Sequence, residues 1–481
     1  MGKTVKQVAA KNLGAKNSVE LLSYIINVTP ELKGEIDLPV QGQSIRPIGK
    51  LIIGNSVYKN AFLNTCNIIG KTVITRNHWE NPWRKFTDKG TITYGQQVRE
   101  IICDIANVYD YNTFVNRPLE AFKTVIPNVL NYVHEVNYQK FYKTTTSDEQ
   151  MAMAFEREDL FSLIDEIVNS LYEAMEYDDF LVSKYILARR ILDGTVTAVQ
   201  IPNFNSMSDR DVVAFIKGYS NDMTFRSPDF NPAGLRVASS FENQFAIVTT
   251  KFDGKFTTNV LATSYFKNEA ELKANMELCN GFGNFDEARL TEIFCKRDEN
   301  GDIIANEYLD GYVPLTSDEK AALAEIPAAI VDYDFFQNRR YGTDTEAAGR
   351  KTELFNPQTL RTNHFLHEWG IMSTSPFVNA VVFTQTAQAV SSVTVSPSAA
   401  TISVGQKLQL AAAVVTTGFA NKAVKWSVDS TSAADGVKID VNGVLSVPAD
   451  AEVASITVTA TSVYDTTKTG TATITVAENQ E

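Results

Sequence analysis

The chain has 481 residues, of which 44% are hydrophobic, 21% charged and 10% aromatic. This composition excludes wholesale disorder, and the length exceeds the roughly 250 to 300 residues that one core usually supports, so at least two domains are expected. The formal net charge of -13 disfavours a protein whose main task is to grip nucleic acid, because phosphate binding requires clustered Lys and Arg. An acidic surface is equally typical of any protein that must stay soluble.

The cysteines and the N-terminus predict a cytoplasmic product. Cys66, Cys103, Cys279 and Cys295 match neither a CxxC redox pair nor paired zinc knuckles, so we expect reduced thiols. The N-terminus lacks the apolar core and cleavage site of a secretion signal. No apolar run approaches the roughly 20 residues that cross a bilayer.

A long hairpin is predicted at residues 72–105. Its extended arms are Thr72–Arg76 and Thr91–Ile105, and Gly90 favours a loop between them. Three large aromatic side chains lie near the tip: Trp79, Trp83 and Phe86. Such a tip would expose apolar surface to water, so we expect it to pack against another subunit.

Basic residues are interleaved with these aromatics, a pattern that also occurs on nucleic-acid-binding surfaces. They are Arg76, Arg84, Lys85, Lys89 and Arg99. Glu80, Asp88 and Glu100 dilute the charge, so intersubunit ion pairs and cation-π contacts are favoured. The predicted contact residues at the tip are Trp79, Trp83, Arg84, Lys85 and Phe86. Replacing both tryptophans by Ala is predicted to block association and leave a folded subunit.

A long helical pattern runs from about Glu156 to Leu192, with apolar residues at three- and four-residue spacing. At about 1.5 Å per residue it would extend roughly 50 Å if continuous. The acidic segment Glu176–Asp179 is a candidate break or bend, and Gly194 is a candidate stop. A helix of this length usually serves as a backbone to which sheets attach.

Residues 195–355 carry weaker signals of an α+β domain. Short strands are predicted at Gln244–Thr250 and Val260–Ser264. Helices are predicted at Asp209–Lys217, Asn268–Leu278 and Ser317–Ile326. The pair Asn300-Gly301 predicts a tight hairpin.

The clearest domain boundary lies near residue 388, where the amino-acid usage changes abruptly. Residues 388–481 consist mainly of Val, Ala, Thr and Ser and contain no Arg, His, Cys or Met. Apolar and small polar residues alternate in several short segments, such as Val424/Trp426/Val428, and this period predicts an antiparallel β-sandwich. Asn442-Gly443 predicts a type I′ hairpin within it.

No constellation of catalytic or ligand-binding residues is found. His364, His367 and Glu368 form HxxHE, which differs from the zinc motifs HExxH and HxxEH, so a structural strand or turn is favoured. The acidic run Asp298–Asp302 has its glycine in the wrong position for a calcium loop. No P-loop, dinucleotide fingerprint or nucleophile elbow occurs. The sequence therefore predicts no enzyme, no cofactor and no metal.

Three long segments resemble the major capsid proteins of phi-29-like podoviruses. They are LIIGNSVYKNAFLNTCNIIGKTVITRNHWENPWRKF, IPNVLNYVHEVNYQKFY and LFNPQTLRTNHFLHEWGIMSTSPFVNAVVF. The resemblance covers most of the chain, although residues 195–355 match poorly. It implies a shell domain of the Hong Kong 97 type at residues 1–387. Its parts would be an N-terminal arm at about 1–60, an E-loop at about 72–105, a spine helix at about 156–192 and an axial domain at about 195–370.

This resemblance also implies a function in the virion. Pentamers and hexamers would tile an icosahedral or prolate head around double-stranded DNA, with a separate scaffolding protein and a portal ring as partners. The DNA would be enclosed without sequence-specific binding. Whether the arm is cleaved during maturation is left open.

The tail resembles a bacterial Ig-like group 2 domain at residues 388–481. The segments that carry this resemblance are VSSVTVSPSAATISVGQKLQLAAAV, AVKWSV, IDVNGVLSV and ASITVTATS. Attachment to host surface polymers, reinforcement of capsomers and a dispensable decoration all remain open. The alternative, a bacterial surface or adhesin protein, would be expected to carry a secretion signal and an anchor. Deleting residues 388–481 is predicted to leave a soluble shell domain.

Overall fold

The computed structural model describes residues 17–70, 79–93, 97–103, 105–106, 129–135, 137–157, 159–164, 170–255, 275–341, 350–440 and 442–477. The helices are α1 Ser18–Val28, α2 Arg46–Gly54, α3 Ser56–Gly70, α4 Arg84–Thr87, α5 Asp148–Arg157, α6 Leu160–Ile164, α7 Ser170–Leu192, α8 Asp209–Asp222, α9 Thr250–Lys255, α10 Glu287–Phe294, α11 Ser317–Ala324 and α12 Ser430–Ala434. The strands up to the predicted boundary are β1 Asp88–Ile92, β2 Val98–Cys103, β3 Val129–His134, β4 Tyr138–Ser147, β5 Thr197–Gln200, β6 Gln244–Thr249, β7 Met276–Cys279, β8 Cys295–Arg297, β9 Ile303–Tyr308, β10 Ala328–Asp332, β11 Asn338–Tyr341, β12 Arg350–Asn356, β13 Arg361–Ile371 and β14 Ala380–Thr384. The mixed α and β architecture predicted from the sequence is confirmed.

Five helices share one apolar core near the start of the described chain. Ile25 of α1 packs in the same cluster as Phe62 of α3 and Phe155 of α5, whose ring centroids lie 5.4 Å apart. Gly49 of α2 permits this packing, because a Cβ at that position would collide with the Phe155 ring. The described part of the predicted arm at residues 1–60 is therefore largely helical and packs within its own subunit.

The predicted helix at residues 156–192 is interrupted. The chain is not helical at Asp159, between α5 and α6. Of the two alternatives at Glu176–Asp179, the break is wrong, because the 23-residue helix α7 continues through these residues. The predicted stop is confirmed: α7 ends two residues before Gly194, whose backbone N donates to the Ile191 carbonyl at 3.0 Å and whose φ is +70°.

A five-stranded sheet of order β5-β14-β10-β6-β7 packs between α7 and α8. Strand β10 is antiparallel to β14 and β6, whereas β5 and β7 pair in parallel at the edges. All residues of β10 are buried, since alternate side chains enter two different cores. Val331 joins the cluster that contains Leu187 of α7, and Ile330 joins the one that contains Val212 of α8.

A second sheet is built around β13, which pairs with β4, β11 and β12. Leu366 of β13 and Tyr142 of β4 share an apolar cluster with Leu171 and Met175 of α7. Helix α7 therefore packs against both sheets.

Buried charges lie between α7 and this second sheet. Arg340 of β11 pairs with Asp179 of α7 and with Glu368 of β13, the latter at 2.8 Å. Asp178 accepts two hydrogen bonds from Arg289 of α10, at 2.6 and 2.9 Å. Burial raises the pKa of the Glu368 carboxyl, because Arg340 is shared between two acids and only partly offsets the loss of hydration.

The extended ribbon lies further along the chain than the predicted hairpin at residues 72–105. Strand β2 pairs antiparallel with β3, from Val98 opposite His134 to Cys103 opposite Val129. The predicted partner arm, Thr72–Arg76, lies outside the described residues. Strand β1, at the predicted start of the second arm, pairs instead in parallel with β11.

The elements predicted in residues 195–355 are partly confirmed. Strand β6 and helices α8 and α11 confirm three predicted elements, and β8 and β9 form the predicted hairpin at Asn300-Gly301. The predicted helix Asn268–Leu278 is wrong at its end, because residues 276–279 form β7. Pairing with β6 overrides the local helical pattern there. The predicted strand Val260–Ser264 lies outside the described residues.

The tail begins with β15, five residues after β14 ends. Its strands are β15 Ala389–Ser396, β16 Ala399–Ser403, β17 Lys407–Gln409, β18 Ala411–Thr417, β19 Val424–Val428, β20 Lys438–Ile439, β21 Val444–Ser446, β22 Ser455–Ser462 and β23 Thr469–Ala477. They form three small sheets of orders β15-β18, β16-β23-β22-β19 and β17-β21-β20. One cluster fills the space between them, with Leu410, Leu445, Ile456 and Ile474 fully buried. Asn442-Gly443 lies in the turn between β20 and β21.

One aromatic side chain of the tail enters the core around α7. Phe419, between β18 and β19, is buried in the cluster that also contains Leu187 and Ile191. Its backbone N donates to Oε1 of Gln388 at 2.5 Å. Lys422 Nζ donates to the carbonyl of Leu192 at the end of α7. The tail is therefore fixed to α7 by the buried Phe419 ring and by the hydrogen bond from Lys422.

We predict that Phe419→Ala lowers the free energy of unfolding by about 3 kcal/mol or more, because it empties an aromatic site in a packed core. Amide hydrogen exchange in the last turn of α7 should report this loss. Val415→Ala, at an exposed tail position, is the control and should change little. A protein truncated after residue 387 should stay soluble but show the same faster exchange. Wild-type exchange rates in both Phe419→Ala and the truncated protein would contradict the anchoring role of the ring.

Candidate functional site: the tryptophan segment

The predicted contact residues lie in residues 79–92, which we call the tryptophan segment. Trp79 is 38% exposed and packs edge-on against Tyr177 and Phe180 of α7, with centroid distances of 5.7 Å to each. Its backbone N donates to Oε1 of Glu173 at 3.3 Å. Trp79 therefore lies on the surface of α7 and is still accessible to other molecules.

Trp83 and Phe86 are fully buried within the subunit, so their predicted exposure at a hairpin tip is wrong. The indole Nε1 of Trp83 donates to the carbonyl of Leu278 at 3.2 Å. Phe86 stacks on Phe245 of β6 at 5.1 Å, and Trp83 and Phe86 both pack against Phe336. These rings belong to the core beneath α7. In this conformation they have no surface to offer a second subunit.

The two predicted basic contact residues have partners in the same chain. Arg84 donates to Oε1 of Glu176 at 2.7 Å, and Lys85 pairs with Glu277 of β7. Lys85 also lies over the ring of Phe245, at 5.6 Å from its centroid. The side chains of Arg84 and Lys85 remain 48% and 44% exposed. Intersubunit contact through them, as through Trp79, remains a prediction.

Lys89 closes the segment onto a turn of the core. Its Nζ donates to the Tyr333 carbonyl at 2.5 Å, lies 3.0 Å from the centroid of the Tyr333 ring and is 3.7 Å from Oδ1 of Asp334. Burial lowers the pKa of the Lys89 ammonium to about 8, although Asp334 and Asp332 oppose this shift. The segment thus connects α7, the central sheet and the turn after β10.

The remaining candidates for chemistry do not converge. His364 and Glu368 face the inner side of β13, whereas His367 faces the outer side, because strand residues alternate. Oδ1 of Asp298 accepts hydrogen bonds from the backbone N atoms of Asn300 and Asp302, so this side chain organises the β8–β9 turn. Among the described residues, no cluster of His, Cys, Asp and Glu could hold a metal ion. No described helix is long and apolar enough to cross a membrane.

Sequence reasoning missed the buried ion pairs that hold the segment and α7 in place. Arg289 and Arg340 are distant in sequence from Asp178 and Asp179, and no local pattern connects them. The acidic run in the helical pattern was the available signal. If this acidic run lies on a buried face of the helix, its carboxylates need basic partners elsewhere in the chain, because buried charges are paired.

We predict that Trp83→Ala lowers the free energy of unfolding of the unassembled subunit by about 3 to 5 kcal/mol, because it removes a fully buried ring. Trp79→Ala should cost only about 1 kcal/mol, since that ring is partly exposed. Urea unfolding of the two variants measures both values. Equal losses of unfolding free energy in the two variants would contradict the difference in burial between Trp83 and Trp79. The double variant, predicted from the sequence to leave a folded subunit, would carry this loss because Trp83 is buried in the core of the subunit.

Lys89 should make stability depend on pH above neutrality. The pKa is about 8 in the folded chain and about 10.4 when unfolded, so the unfolded state binds more protons between these values. Stability of the wild type should therefore rise relative to Lys89→Met by about 1 to 2 kcal/mol from pH 7.5 to pH 10. Urea titrations at several pH values provide the measurement. Lys217→Met, at an exposed position of α8, is the control. Parallel stability curves for wild type and Lys89→Met would contradict the burial of this ammonium.

Comparison with known proteins identifies the chain by sequence. A family model described as Phi29-like phage major capsid protein matches residues 27–384. The major capsid protein of Bacillus phage GA-1 is 25% identical over 432 residues, which cover 87% of this chain and 81% of that protein. The major capsid protein of Bacillus phage B103 is 26% identical over 459 residues, covering 94% and 91%.

Comparison with solved structures gave partial matches. A capsid structure of Staphylococcus phage Andhra matches with a TM-score of 0.49 and 14% identity, over 65% of this chain and 86% of that one. A chain from a head-fiber and inner-core structure of bacteriophage P68 matches with a TM-score of 0.48 and 13% identity, over 65% and 87%. Membership of a family rests on the sequence match, which spans well over half of the chain. The chain belongs to the Phi29-like phage major capsid proteins, and it is a structural protein that self-assembles into the virion shell and not an enzyme.

Proposed function

We propose that this major capsid protein assembles as pentamers and hexamers into an icosahedral or prolate head of the Hong Kong 97 type that encloses double-stranded DNA. The observation that carries the proposal is the family match from residue 27 to residue 384, which includes α7 and the two sheets that pack against it. A long helix packed against two sheets supplies a rigid body, and the β2–β3 ribbon supplies an extension. A shell of repeated subunits can be built from rigid bodies that contact their neighbours through such extensions.

The charge of the chain supports a container that does not bind its contents tightly. A net charge of -13 opposes strong attachment to DNA, so the packaged duplex would be held by confinement and not by sequence-specific contacts. A scaffolding protein and a portal ring are the proposed partners in assembly. Synthesis in the host cytoplasm, as predicted from the four cysteines, is part of the same proposal.

For the tail, residues 388–481, we propose a bacterial Ig-like group 2 domain. Three small sheets around a common core, built from strands of period-2 pattern, support this assignment. The buried Phe419 supports a fixed mount on the shell part. Weak binding of host surface polymers and reinforcement of capsomers are both consistent with such a mount. An adhesin is not favoured, because the family match covers the larger part of the chain.

Electron microscopy of the purified protein, with and without a crowding agent and a co-expressed scaffolding protein, tests the assembly proposal. We expect five- and six-fold capsomers, shells or tubes above a threshold concentration. A monodisperse monomer under every condition would contradict the proposal. The protein truncated after residue 387 should form the same shells, with less density on one surface, if the tail is an added domain.

A further inference from the structure

One face of the second sheet is aromatic where a solvated face would be polar. In antiparallel pairs, residues directly opposite each other share a face. Phe141 of β4 lies opposite His367 of β13, and Lys143 lies opposite Phe365. On the other side of β13, Leu354 of β12 lies opposite Asn363. We call this set of side chains the outer face.

The opposite face of the same strands is the one that packs inside the subunit. Tyr142, Leu366 and Glu368 are buried there, against α7 and Arg340. The outer face is therefore not part of the core around α7. Antiparallel sheets that are covered on one side usually carry polar residues on the other.

The aromatic side chains of the outer face form a contiguous group. The ring of Phe141 lies 6.0 Å from both Phe365 and His367, and Phe365 stacks on His367 at 6.2 Å. Phe141 is 61% exposed and Leu354 is 62% exposed. Exposed apolar groups that cluster in this way mark contact surfaces, whereas single exposed apolar residues need no explanation.

The charge of the outer face identifies the kind of partner. Lys143 and Arg361 point to this face, and Lys143 Nζ lies 5.9 Å from the centroid of Phe365. The acids of these strands, Glu353 and Glu368, lie on the inner face, where they contact His364 and Arg340. A basic, aromatic face on a chain of net charge -13 is complementary to the rest of its own surface.

We infer that the outer face is a contact between neighbouring copies of this chain, and that it receives an acidic, apolar-bearing surface of the adjacent subunit. The inference rests on the proposed shell assembly and adds a named surface to it. Duplex DNA is the less suitable occupant, because its bases are already stacked and leave no free ring faces for Phe141 and Phe365. A subunit contact uses both the aromatic and the basic groups.

A photo-crosslinking amino acid placed at Phe141 in the full-length chain tests the inference directly. In assembled, DNA-filled particles, irradiation should join one capsid chain to another. The same amino acid at Phe225, an exposed phenylalanine near the end of α8 that is 72% exposed, gives the background. Cross-links to DNA in place of protein, or no more chain-to-chain product than the Phe225 background, would overturn the inference.

The double variant Phe141→Ser/Leu354→Ser measures how much assembly depends on the face. Both side chains are exposed in the subunit, so its unfolding temperature should stay near that of the wild type. Shell yield at a fixed concentration should fall by about tenfold or more, because each subunit repeats the weakened contact. Phe225→Ser is the matched control and should assemble normally.

The outcomes separate this inference from the proposed function. If the wild type forms shells and the stable double variant forms them equally well, the outer face is not a subunit contact, although the shell proposal stands. If the wild type never assembles, both proposals fail. If the double variant does not fold, the cross-linking result alone decides, since it uses a folded chain with one exposed side chain replaced.

Discussion

The fold depends on compensating the buried carboxylates of α7. Three acids within one turn of this helix are buried: Glu176, Asp178 and Asp179. An uncompensated buried charge costs several kcal/mol, so each acid requires a basic partner from another element. The partners are Arg84 of the tryptophan segment, Arg289 of α10 and Arg340 of β11. Because they come from three separate parts of the chain, the pairs fix the rotation of α7 relative to all of them. Turning the helix by one residue, about 100°, would leave the acids without partners.

Lys184, a buried cation on the same helix, is also compensated by groups from another part of the chain, but its hydrogen-bond partners are neutral. Lys184 donates to Oδ1 of Asn280 at 2.5 Å and to the carbonyl of Asn284, and its Nζ lies 4.8 Å from the centroid of Phe285. Burial lowers the pKa of this ammonium, since no described carboxylate is bonded to it. Polar groups thus specify how α7 docks, and the apolar clusters on either side supply the bulk of the burial. This division explains how a helix with so many charged residues can lie at the centre of the subunit.

Sequence patterns predicted the elements whose conformation depends on neighbouring residues. They were less reliable for features that depend on contacts with residues distant in sequence. The tail strands follow the period-2 alternation because each strand has one buried side. The end of α7 followed from Gly194. Trp83 and Phe86 were assigned to the surface because they lie near the tip of the predicted hairpin. The rings that cover them, Phe245 and Phe336, are more than a hundred residues away. The acidic run in α7 resembled a helix break for the same reason: its basic partners are remote. The pairing of β2 with β3 also required a strand outside the predicted hairpin.

The insertion of Phe419 beside α7 limits how freely the tail can be exchanged. Domains joined only by a linker can be replaced by unrelated domains without affecting what precedes them. Here a substitute domain would have to present an aromatic ring to the same site and leave room for the close approach of Gly194 to the carbonyl of Ala420, where a Cβ would lie 2.7 Å from the oxygen. Because Phe419 fixes the tail to α7, a peptide grafted into the turn around Asp465 would be held at a defined position on every subunit. The tail is thus a scaffold for ordered display, provided that the Phe419 loop is kept intact.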